Sequence, residues 1–360
     1  MAPSRPVNIE VDKSFPGFSG TFSIISVLCA LTCSILIAAS PQAKAASNAF
    51  EYNRLLGRGI NLGNALDAPQ EGAWGMMLKS EYFQAVKEAG FNSVRIPIRW
   101  SIHAELEPPY TIDPAFFKRV DWAIDQALSQ HLLVVIDIHH YFEMDLDPIS
   151  NASELLALWR QIAARYKDRP STLIFELFNE PQKSLTDRRW NAILPQLIQT
   201  IHESNPSRTL IVGPGYWNSL DHLSTLQLPQ DDRQLIVTFH YYQPFHFTHQ
   251  AQAWAPETMA WKGTTWGTTE DRTQLHDDFA KAASWAVQQN RPIYVGEFGV
   301  SEQADPKSRV LWTRAAVREA HRFHFSWSYW QFGSYFGIFD TNTGAWNQPM
   351  LHALLDPPTN

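Results

Sequence analysis

Leu132–Glu180 reads LLVVIDIHHYFEMDLDPISNASELLALWRQIAARYKDRPSTLIFELFNE. It begins and ends in short apolar runs bounded by turn residues, the pattern of buried strands. Between them, Ser153–Tyr166 carries apolar side chains at helical period. Strand, helix, strand is the crossover unit of a parallel sheet. The alternation continues outward. Arg58–Gly63 and Ser93–Ile98 precede the unit, and Thr209–Gly213, Leu235–Tyr242, Pro292–Gly299 and Phe325–Phe332 follow it, making eight apolar runs with Leu132–His140 and Leu173–Glu180. Helical periodicity fills Pro114–Gln130, Asp187–Glu203, Asp271–Gln289 and Lys307–Arg322 between them. Strand then helix, eight times in about 310 residues, predicts an α/β fold, a single (β/α)8 TIM barrel. A doubly wound open sheet would carry a glycine-rich phosphate loop after its first strand, whereas Gly59–Asn64 (GINLGN) has another spacing and carries amides.

Composition narrows the function. At 44% hydrophobic and 18% charged, the chain of 360 residues is too apolar for disorder and too mixed for a polytopic membrane protein. With 29 basic against 36 acidic residues it has no basic footprint, so no nucleic-acid partner is expected. The 14 tryptophans exceed what packing demands, and flat aromatic faces suit sugars.

The amino terminus reads as a leader. Thr21–Ala39 holds no charge, follows Arg5 and Lys13, and precedes the small-x-small pattern Ala43-Lys44-Ala45. Residues 1–46 are therefore expected to be a secretory signal, 47–356 one catalytic barrel and 357–360 a tail. A secreted or periplasmic protein is expected, monomeric and free of the membrane once the signal is cleaved; an uncleaved anchor is the alternative. Both cysteines, Cys29 and Cys33, lie in the leader, so the mature chain has neither disulfide nor thiol nucleophile.

Chemistry in such a barrel sits where strands end. The runs end in polar groups: Arg95 and Arg99; Asp137, His139 and His140; Asn179 and Glu180; His240 and Tyr242; Glu297; Trp330 and Gln331. Glu180 and Glu297 stand out. They are expected on different strands at one rim, and paired carboxylates across a cleft are the equipment for hydrolysing a glycosidic bond. Glu176 shares parity with Glu180 one layer deeper and reads as a structural charge paired inside the barrel.

The runs GRGINLGNAL, SVRIPIRW, VVIDIHHY, LIFELFNEP, VTFHYYQPFHFTHQ, YVGEFG and SYWQFGSYFGIFD resemble, in order, the strand-end motifs of glycoside hydrolase family 5, closest to its bacterial endo-β-1,4-glucanases, some of which also cleave mannan. The resemblance spans Arg58 to Asp340. It implies a retaining mechanism with no cofactor and no metal, Glu180 as general acid/base, Glu297 as nucleophile, and a β-linked polysaccharide as partner. It also implies that Asn179 binds the sugar 2-hydroxyl and that His139 and His140 line sugar subsites. Arg95 is expected to hold Glu297 ionised, Tyr242 to steady the same oxygen, and His240 to contact Glu180. The Glu297 anion is expected to raise the Glu180 pKa until the sugar ester forms.

Trp330 is the expected platform under the reacting sugar, and Trp74, Trp217, Trp254, Trp261 and Trp266 are candidates to extend it. Trp122, Trp159, Trp190, Trp285 and Trp312 fall in helical stretches and read as packing. A metal site at Asp137, His139, His140 and His240 is disfavoured because neighbours on a strand face opposite ways. A serine triad lacks the G-x-S-x-G elbow. Endoglucanase, mannanase, xyloglucanase and mixed-linkage glucanase share these residues, and a non-catalytic carbohydrate-binding barrel is the alternative of another class.

Overall fold

All eight apolar runs become parallel strands: β1 (Arg58–Asn61), β2 (Ser93–Ile96), β3 (Leu133–Asp137), β4 (Leu173–Glu176), β5 (Leu210–Val212), β6 (Leu235–Tyr241), β7 (Ile293–Phe298) and β8 (Ser326–Tyr329). They pair in sequence order, and β8 closes on β1. The computed structural model describes residues 49–356; the leader, its cleavage pattern and the tail lie outside the described residues. The fold is the (β/α)8 barrel.

Every strand stops short of the run that announced it. β3 ends at Asp137 and β4 at Glu176, so His139, His140, Asn179 and Glu180 stand on loops beyond the strands. Apolarity continues past the ladder because the first loop residues, Ile138, Leu177 and Phe178, are still buried under the helices. The parity linking Glu176 to Glu180 therefore does not exist. No helical stretch is read between the fifth and sixth runs, and between β5 and β6 the structure has only short turns at Gly215–Asn218 and Leu220–Thr225.

Helices Ser80–Ala89, Pro114–Ser129, Pro148–Tyr166, Asp187–His202, Thr269–Gln289 and Pro306–Arg322 pack outside the strands. Local chemistry starts several of them: Asp113, Asp147 and Asp305 cap helices whose first residue is proline, and Thr268 forms a capping box with Asp271. Outward residues such as Val94, Ile136, Phe175 and Phe239 join the helices in one continuous core, which holds Trp159, Trp190 and Trp312. A second apolar cluster lies inside the barrel, where Val135, Ile174, Ile211, Ile236 and Tyr294 meet Ala49, Tyr52 and Leu56 of helix Ala49–Leu56. That helix plugs the floor beneath the polar layer of the barrel.

Candidate active site

Above the apolar floor, β1 to β4 point Asn61, Arg95, Asp137 and Glu176 inward, and register places Asn61 beside Arg95 and Asp137 beside Glu176. Arg95 is fully buried. It donates to Glu176 through Nε and Nη2 at 2.7 and 2.9 Å, to Glu297 Oε1 at 2.8 Å, to Asn61 Oδ1 at 2.9 Å and to Asn179 Oδ1 at 2.8 Å. Asp137 Oδ2 is 2.7 Å from the same Nη2. One guanidinium thus serves three carboxylates, which a buried charge needs in order to be tolerated.

Glu297 arrives by a break in alternation. Val295 and Phe298 both pack outward, while Tyr294 and Glu297 both face in, and the register of β7 against β8 shifts between Val295 and Phe298. The bulge re-aims the carboxylate into the barrel mouth. There Arg95 holds Oε1 and Tyr242 Oη donates to Oε2 at 2.8 Å, so the two supports take different oxygens rather than the one expected. Burial still raises the Glu297 pKa above the ordinary range, with His240, Arg95 and the Tyr242 hydroxyl opposing and Glu180 adding to it.

Glu180 sits in a left-handed turn with φ of 52°. Its Oε1 is 2.6 Å from His240 Nδ1, and an oxygen of Glu180 lies within 4.8 Å of one of Glu297. Its pKa is pushed up to about 8, chiefly by burial and then by Glu176, against Arg95. The cause expected from the sequence, the Glu297 anion, is not the leading one: removal from water is.

His139 donates Nδ1–H to Asp137 Oδ2 at 2.7 Å, which leaves Nε2 of the neutral ring as an acceptor. Its ring lies parallel to Trp330 at 5.9 Å between centroids, and edge-on to His140 at 4.5 Å. Burial lowers the pKa of both histidines, His140 to about 2, so both are neutral near pH 7. The parity argument against a metal fails, since both follow β3: donor atoms of Asp67, His139 and His140 lie within 4.8 Å of one another. Of these, His140 Nε2 and Asp67 Oδ2 stand 3.8 Å apart, wider than the roughly 3.3 Å between donors that tetrahedral zinc with bonds of about 2.0 Å requires.

The tryptophans divide. Trp254 is 57% exposed and Trp217 42%; the Trp217 backbone N–H donates to the Pro181 carbonyl beside Glu180, and Trp254 meets His249, which in turn meets Tyr242. Trp74 packs edge-on against His140, and Trp261 against Phe245 and His246. Trp266 is no platform: it is buried in the core under Arg272, because its loop folds back onto helix Thr269–Gln289.

Four residues of the mouth were not singled out from sequence. Asn61 bridges the carbonyls of Gly296 and Ser328 to Arg95, and Asn64 bonds Ser334; both amides stood in the GINLGN run. Asp67 is buried with Oδ2 unpartnered and a pKa raised to about 7 by burial. Asn218 lies behind His240.

A buried arginine holding one of two close carboxylates at the mouth of a (β/α)8 barrel is the arrangement of a glycoside hydrolase. Residues 57–335 match the family described as cellulase, glycosyl hydrolase family 5. The chain belongs to that family. It is 39% identical over 316 residues to Endoglucanase H of Acetivibrio thermocellus, covering 86% of this chain and 34% of that relative, so it spans about a third of that protein. The crystal structure of Cel5A of Thermotoga maritima with cellobiose superposes at a TM-score of 0.85, with 47% identity, 86% of this chain and 100% of that one covered. Its complex with mannotriose superposes at 0.84, with the same identity and coverage.

Proposed function

We propose that the chain hydrolyses internal β-1,4 bonds of soluble or amorphous glucan, with mannan as a second substrate, by double displacement. The observation that carries this reading is the approach of Glu180 to Glu297 within 4.8 Å across His240. Retaining enzymes hold their carboxyls about 5–5.5 Å apart, and inverting ones leave room for a water at 6.5–9.5 Å. Glu297, gripped at both oxygens, attacks the anomeric carbon. Glu180, whose raised pKa keeps its proton near neutrality, gives that proton to the leaving oxygen. Once Glu297 is esterified, Glu180 takes a proton from water, which releases the sugar with its configuration retained.

Asn179 accepts from Arg95 through its oxygen, which leaves its NH2 for the sugar 2-hydroxyl, a contact that strengthens as the oxocarbenium-like state forms. The cellobiose and mannotriose complexes of the Thermotoga protein support both sugars, which differ at that hydroxyl. The leader read in the sequence supports action outside the cytoplasm, where such polymers are found.

The test is proton NMR of products released from cellopentaose and mannopentaose. β-Anomers appearing first support the reading; initial α-anomers overturn it. Binding of either sugar without turnover by the wild type would leave the non-catalytic barrel standing instead.

A further inference from the structure

Behind Glu180 and His240 stands a third side chain. Asn218 ends the short turn after β5, is fully buried, and places Nδ2 3.3 Å from His240 Nε2. The backbone is left-handed at Tyr216, Trp217 and Asn218, with φ of 55°, 60° and 50°, and this run swings the carboxamide toward the imidazole. Gly213 makes the room: a Cβ there would collide with the Asn218 carboxamide. A Cβ at Gly296 would come within 3.1 Å of the same His240 nitrogen, so the ring is closely confined.

An amide NH2 donates and cannot accept, so its bond to Nε2 requires a lone pair there. Neutral His240 then carries its proton on Nδ1, which donates to Glu180 Oε1 at 2.6 Å. We propose that Asn218 is a positioning residue that fixes His240 as the Nδ1–H tautomer and, through it, supports Glu180 in its carboxylate, proton-accepting state. This rests on Glu180 being the acid/base of the proposed function.

The consequence is a balance. Burial and Glu176 favour the protonated acid that the first step needs, while Arg95 and the His240 N–H favour the anion that the second step needs. Glu297, Asp137, Asp145, His139 and Tyr242 also face this pair. Without the Asn218 amide, the His240 proton is free to move to Nε2. Nδ1 then accepts the proton of a neutral Glu180, which is retained to higher pH.

Asn218→Gly and Asn218→Asp both tolerate positive φ, so the turn is kept while the donor is removed or replaced by an acceptor. Two measurements test the idea: 15N spectra of histidine-labelled wild type, with the His240 signal assigned by its loss in His240→Asn, and kcat/KM against pH on a soluble β-1,4-glucan. The expected results are the Nδ1–H tautomer in the wild type, and an alkaline limb that moves up by about one pH unit in Asn218→Gly and further in Asn218→Asp. A wild-type His240 protonated on Nε2 overturns the proposal. So does an alkaline limb that stays put in both variants while only the plateau falls. Full hydrolysis of unactivated glucan by Glu180→Gln would instead remove the acid/base reading beneath it.

Discussion

Glu180 and Glu297, 117 positions apart in the chain, share one imidazole: His240 Nδ1 lies 2.6 Å from Glu180 Oε1 and 3.7 Å from Glu297 Oε2. Their surroundings differ, and the difference supports the roles proposed for them. Glu297 is held at both oxygens by groups that favour its anion, and its side chain is 6% exposed. Glu180 is 22% exposed, with its pKa pushed up to about 8. Replacing Glu297 by Ala should lower kcat on glucan by about 10⁴-fold or more while leaving oligosaccharide binding measurable by calorimetry. Replacing Glu180 by Gln should cost about 10²–10⁴-fold on polysaccharide, and far less on aryl glycosides whose leaving group needs no acid.

The pH profile follows from the same two groups. On the proposed mechanism the free enzyme acts with Glu180 protonated and Glu297 ionised, so kcat/KM should fall as pH rises through about 8, where Glu180 loses its proton. Its acid limb should lie above the ordinary carboxylate range, since burial raises Glu297. Tyr242→Phe removes one bond to the Glu297 anion and should move that acid limb further up, with the alkaline limb unmoved. A profile whose alkaline limb shifts instead would place Tyr242 against the wrong carboxylate.

Legibility from the sequence was high where the signal was periodic or motif-borne and failed where it was three-dimensional. Eight apolar runs were enough for the barrel, because each strand is buried on both faces and its hydrophobicity is continuous. The same continuity hid the strand ends: Ile138, Leu177 and Phe178 are as apolar as the residues of the ladder. Glu297 points inward only through a bulge that no alternation rule contains. Trp266 could not be told from Trp254 by composition, as both lie in one aromatic loop and only the fold buries one of them. Asn218 had no flanking pattern at all; its partner is 22 residues away on β6.

Arg95 joins the fold to the chemistry. Arg95→Lys keeps a cation but loses the planar fork that reaches Glu176, Glu297, Asn61 and Asn179 together. Buried acceptors left without donors should destabilise the protein by about 3–5 kcal/mol, read by denaturant unfolding, and kcat should fall with it.

The exposed and buried tryptophans should separate cleanly by substitution. Trp254→Ala and Trp217→Ala remove side chains that are 57% and 42% exposed, so unfolding midpoints should hardly move. KM on polymer should rise several-fold, consistent with about 1 kcal/mol per lost stacking contact. Trp266→Ala opens a core cavity and should cost about 3–5 kcal/mol of stability, with KM unchanged in the protein that stays folded. Equal effects on KM from all three would reject the division.

Asp67 offers a prediction about stability rather than rate. It is fully buried, its Oδ1 accepts from Ala65 N–H at 2.9 Å, and its Oδ2 has no hydrogen-bond partner, with His140 Nε2 3.8 Å away. Burial raises its pKa from 3.8 to about 7. The folded state therefore binds this proton more tightly than the unfolded chain. The resulting stability is fully present below pH 3.8 and is lost as pH rises through about 7. Asp67→Asn keeps the acceptor to Ala65 and puts an NH2 where the orphan oxygen stood, next to a neutral imidazole able to accept from it. The variant should match the wild type near pH 4 and exceed it by about 2 kcal/mol at pH 8. Urea unfolding at the two pH values decides: a variant that loses stability at pH 8 would mean that the ionised carboxylate has a partner, an ion or a water, that outweighs its burial.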